Sequence, residues 1–74
     1  MPVTTLKAHR NPHYYISMES EERFHTPIIT VRAFYAPSER EPDVLGYPER
    51  EVTFPCSEKR KALAAFSRYK RKYI

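Results

Sequence analysis

Seven prolines and a single glycine, Gly46, constrain this chain more than any other feature of its 74 residues. Proline fixes φ and withholds a backbone N–H, so the prolines at 2, 12, 27, 37, 42, 48 and 55 mark boundaries between regular elements. With one glycine, turns that need a positive φ lack their usual occupant. Neither residue recurs after Pro55. The run from there to Ile74 is therefore free to form one continuous helix. Ser57 stands where an N-cap belongs, and Glu58 suits the positive first turn, predicting a helix over 57–74. At helical periodicity Ala62, Ala65, Phe66, Tyr69 and Tyr73 share one stripe with Leu63 on its flank, an amphipathic pattern whose apolar side should cover a sheet.

Upstream, the pattern changes to alternation. In 13–19, Tyr14, Ile16 and Met18 fall on one side and Tyr15, Ser17 and Glu19 on the other, predicting a half-buried strand, with Ser20 to Arg23 as a polar turn. Residues 28–35 are dense in β-branched and aromatic side chains and predict a second strand, with Ile29, Val31, Ala33 and Tyr35 facing the core. Residues 36–49 hold three prolines and the only glycine, which predicts a Pro-rich loop. Residues 50–54 alternate again and predict a third strand with Val52 and Phe54 inward. The reading is thus one α+β domain over 1–74. Residues 1–11 form an N-terminal arm or an extra strand, 12–56 an antiparallel sheet of three strands (four if the arm joins), and 57–74 a helix.

A chain of 8.8 kDa leaves no room for separate substrate and cofactor modules. One glycine cannot build a phosphate-cradling loop, and no Gly-x-Ser-x-Gly, Cys-x-x-Cys or His-Glu-x-x-His motif occurs, so a non-enzymatic binding role without cofactor is expected. The single cysteine, Cys56, excludes an internal disulfide and points to a reducing, cytoplasmic setting. A lone cysteine before a helix could be activated, but it reads more simply as a small residue packed at the sheet-to-helix junction. His9, His13, His25 and Cys56 equal the four ligands of a structural zinc, yet their spacing places no two on one helical face, so no metal is expected. No stretch approaches the length of a membrane span.

Charge carries the only functional signal. The formal net charge of +4 conceals a polar distribution. Residues 57–74 contain seven cations (Lys59, Arg60, Lys61, Arg68, Lys70, Arg71 and Lys72) against the single acid Glu58, whereas 19–56 contain eight acids against four arginines. Clustered Lys and Arg suit nucleic-acid phosphates, with counterion release supplying affinity. Exposed Tyr15, Phe34 or Tyr47 could add stacking on bases. The order of strands followed by a helix resembles integrase arm-type DNA-binding domains, which lay a three-stranded sheet in a groove. The cluster Lys59-Arg60-Lys61 is also similar to the Lys cluster opening the last helix of double-stranded RNA-binding domains, although the leading helix and glycine turn of that family are missing.

Two functions compete at this level. The first is a nucleic-acid-binding module using those seven cations, with Arg60, Lys61, Arg68, Arg71 and Lys72 on phosphates and Lys59 and Lys70 at the rim. The second is a protein-interaction or inhibitor module of the kind phages and mobile elements encode, docking on an acidic protein surface and modulating a host nucleic-acid-processing protein. Glu19, Glu21, Glu22, Glu39, Glu41 and Asp43 weigh toward the second if they lie beside the basic face. An unpaired sheet edge also allows a homodimer.

Overall fold

A computed structural model describes residues 3–37, 40 and 45–74. Strands β1 (Thr4–Arg10), β2 (Tyr14–Arg23), β3 (Thr26–Tyr35) and β4 (Arg50–Pro55) form one antiparallel sheet in the order β1-β2-β3-β4, followed by helix α1 (Lys59–Lys72). The chain is α+β as expected, and the N-terminal residues supply the fourth strand rather than a free arm. Their sequence gives little warning of this, because β1 is an edge strand exposed along nearly its whole length. Part of the expected 36–49 loop, including Glu39, Glu41 and Asp43, lies outside the described residues.

Helix α1 covers one face of the sheet. Ile16, Met18, Ile29, Val31 and Ala33 meet Ala62, Ala65 and Phe66 in a buried core, with Val52, Phe54, Leu63, Tyr69 and Tyr73 packed around it. Tyr35, expected in that core, is instead 60% exposed. It lies at the last position of β3, where it stacks on its cross-strand partner Tyr14 at 5.5 Å between centroids. Tyr14 in turn meets Tyr73 at 5.1 Å, so an aromatic ladder joins the sheet to the end of α1.

Two turns replace the missing glycines. Between β1 and β2, Asn11 Oδ1 accepts hydrogen bonds from the backbone N–H groups of His13 (2.9 Å) and Tyr14 (2.7 Å), closing an Asx turn. Its Nδ2 donates to the Tyr73 carbonyl at 2.8 Å, fixing the helix end over that turn. The β2–β3 connection is not the polar stretch from Ser20 to Arg23, which continues β2. It is the two residues Phe24 and His25, both with positive φ (52° and 63°). A two-residue hairpin loop with both φ values positive matches the strand twist, and it is built here without asparagine or glycine.

The helix begins differently from expectation. Cys56–Glu58 is a 3₁₀ turn entered directly from β4, so Ser57 lies inside helical backbone and makes no capping hydrogen bond. Cys56 packs half-buried against the core at that junction.

Candidate nucleic-acid interface

All seven predicted cations of α1 are exposed. Rotation at 100° per residue away from buried Ala62 and Phe66 sets Arg60 and Arg71 on the crest of the helix. Lys61 and Arg68 lie on the flank facing β4, where with Val52, Phe54, Ala64, Ala65 and Tyr69 they line a groove of about 300 Å³. Lys70 lies on the opposite flank, its Nζ 5.8 Å from the Phe66 ring centroid, and Lys72 Nζ is 5.7 Å from the Tyr73 ring. The one ion pair on the helix among the described residues is Lys61 with Glu58, at 3.2 Å.

The sheet contributes cations that composition did not single out. Between Thr5 and Lys7 the β1–β2 register shifts by one residue, and Leu6 is the extra one. A bulge inverts which face the residues beyond it use. Lys7 consequently pairs with core residue Met18 and turns to the helix side, where its Nζ lies 5.8 Å from the same Phe66 ring that Lys70 approaches. Two lysines 63 positions apart thus meet on one aromatic ring. On the other edge strand, Arg50 shares the helix-side parity of Val52 and Phe54, and its charge is felt by Tyr69.

Three of the acids lie on the other side. Register pairs Glu19 with Thr30, Glu21 with Ile28 and Glu51 with Arg32, all on the face away from α1. There Arg32 bridges Glu51 (2.6 Å) and Glu19 (3.8 Å), and Arg23 holds Glu21 at 2.8 Å. Glu22 has helix-side parity but sits by the hairpin tip, 3.8 Å from His25. The open face is therefore largely neutralised internally.

Two of the expected stacking residues, Tyr15 and Phe34, lie off the helix side. Phe34 is 8% exposed and packs against Tyr15 on the open face, while Tyr15 is half-buried with the Arg10 guanidinium 5.6 Å from its ring. Tyr47 alone of the three is freely accessible. Burial raises the Tyr69 phenol above its ordinary pKa, and the Glu49 carboxylate does the same for Tyr35, so both stay neutral donors near pH 7. His9, His13, His25 and Cys56 are distributed over β1, the β1–β2 turn, the opposite hairpin tip and the β4–α1 junction. Among the described residues no three His, Cys, Asp or Glu side chains converge as metal ligands, and no helix is long and apolar enough to cross a membrane.

Comparison with protein-family models, curated proteins and solved structures returned no match for this chain.

Proposed function

We propose that the chain is a small non-enzymatic module that binds nucleic acid through the cations of α1. Arg60, Lys61, Arg68, Arg71 and Lys72 contact phosphates, with Lys59 and Lys70 at the rim. The observation that supports this reading is the separation of charge by sheet register. Glu19, Glu21 and Glu51 lie behind the sheet and are tied to arginines, which lessens their screening of the helix. Phosphate binding by Lys and Arg is favoured by such a weakly screened cationic surface.

A direct binding measurement with Arg68→Glu and Arg71→Glu combined tests the reading. Both side chains are exposed, so the variant should retain its thermal midpoint while affinity for labelled oligonucleotides at low salt is lost. A folded variant that binds as before would remove the helix from the interface. The second reading, a module that docks on a protein, draws on the edge of β4, unpaired among the described residues, and the groove beside it, where apolar Val52 and Phe54 are rimmed by Lys61 and Arg68. Pull-down from native cells with and without nuclease separates the two. A stoichiometric protein partner that survives nuclease would favour the second.

A further inference from the structure

Cations flank α1 on both sides as well as crowning it. On one side Lys7 of edge strand β1 joins Lys70; on the other Arg50 of edge strand β4 joins Lys61 and Arg68. The two edge strands are three inter-strand steps apart, about 14 Å across the sheet. A helix with its side chains is about 10–12 Å across, and the major groove of B-form DNA is about 12 Å wide with phosphates along both walls. At the middle of the exposed surface of α1 stand the short residues Ala64 and Ser67, which let the helix axis approach a groove floor, while the long cations point to the sides and ends.

We propose, building on the nucleic-acid reading above, that the ligand is duplex DNA, with α1 in the major groove and Lys7 and Arg50 contacting phosphates on its two walls. Single strands fit less well, since they are held by aromatic platforms beside the cations, and the aromatics next to the α1 cations are occupied. Phe66 is 4% exposed, and Tyr69 and Tyr73 are half-buried. Duplex RNA fits less well because its major groove is too narrow and deep to admit a helix. The Leu6 bulge acquires a reason in this arrangement: it turns Lys7, rather than Leu6, toward the groove wall.

The test is fluorescence anisotropy of the full chain with a mixed-sequence DNA duplex of two helical turns, its separated strand and the RNA duplex of the same sequence, each across a salt series. The DNA duplex should bind tightest. Lys7→Gln with Arg50→Gln should lower the slope of log affinity against log salt by about 1.8, roughly 0.9 for each phosphate no longer neutralised. Circular dichroism verifies the fold of the double variant, and if it unfolds, each single variant should lower the slope by about 0.9. A folded variant with an unchanged slope, or a single strand or RNA duplex bound as tightly as the DNA duplex, would overturn the major-groove assignment and leave nucleic-acid binding standing. Absence of binding to all three polymers at low salt would overturn both.

Discussion

Ser17 sits at the centre of β2 on the face away from α1, 1% exposed, and its hydroxyl has no hydrogen-bond partner among the described residues. A buried hydroxyl without a partner forfeits its hydration and gains nothing in return, at a cost of about 1–3 kcal/mol. Ser17→Ala should therefore raise stability by about 1 kcal/mol, seen as a thermal midpoint higher by about 4–8 °C in a domain of this size. A lower midpoint would mean that the hydroxyl is satisfied in solution. Asn11 is the opposite case, one side chain serving three hydrogen bonds across two elements. Asn11→Ala frees two turn N–H groups and the Tyr73 carbonyl together. It should cost about 2 kcal/mol by chemical denaturation, and a loss below about 0.5 kcal/mol would show that water replaces the side chain without penalty.

Local backbone strain concentrates in the β2–β3 hairpin. Phe24 holds φ at 52° while 91% exposed, so a bulky side chain occupies left-handed backbone and receives almost no burial in exchange. Phe24→Asn with His25→Gly supplies the residues such a turn favours and should stabilise the domain by about 1–2 kcal/mol in equilibrium unfolding, with the sheet unchanged by circular dichroism. Failure to stabilise would imply that the turn relaxes to another geometry. The same hairpin explains a limit of the sequence: without Asn-Gly or Asp-Gly, nothing marked Phe24 and His25 as the turn, and the polar residues before them took that place. Helix α1 was legible because alanines and aromatics recur at helical spacing, and β2 and β3 because they alternate or are densely β-branched. Strand β1 was only half legible, since an exposed edge strand has little burial to impose a pattern and a bulge at Leu6 breaks what pattern there is. At the candidate interface, the seven helical cations were visible as a cluster in the chain. Lys7 and Arg50 were not, because only strand register brings them to the helix side.

Register also decides which residues act together at the scale of the whole molecule. Of the acids that the sequence sets against the basic helix, pleating sends Glu19 and Glu21 behind the sheet, where Glu51 joins them, whereas Glu22 keeps helix-side parity at the hairpin tip. Domains of the arm type insert a sheet face into a groove, but here that face holds Arg32 between two glutamates, while the cations with fewest acidic neighbours lie on the helix side. If binding follows the face rather than the net charge, two variants with the same added charge should behave differently. Thr4 is exposed on the helix side of edge strand β1, and Thr53 is exposed on the open face of edge strand β4. Thr4→Lys should tighten oligonucleotide binding and steepen its salt slope by about 0.9, the value for one further neutralised phosphate. Thr53→Lys should leave the slope where it is, with at most a modest gain in association rate at low salt from the longer-range field. Equal steepening in both would mean that the sheet face also meets the polymer, and a larger effect from Thr53→Lys would reverse the assignment of the two faces.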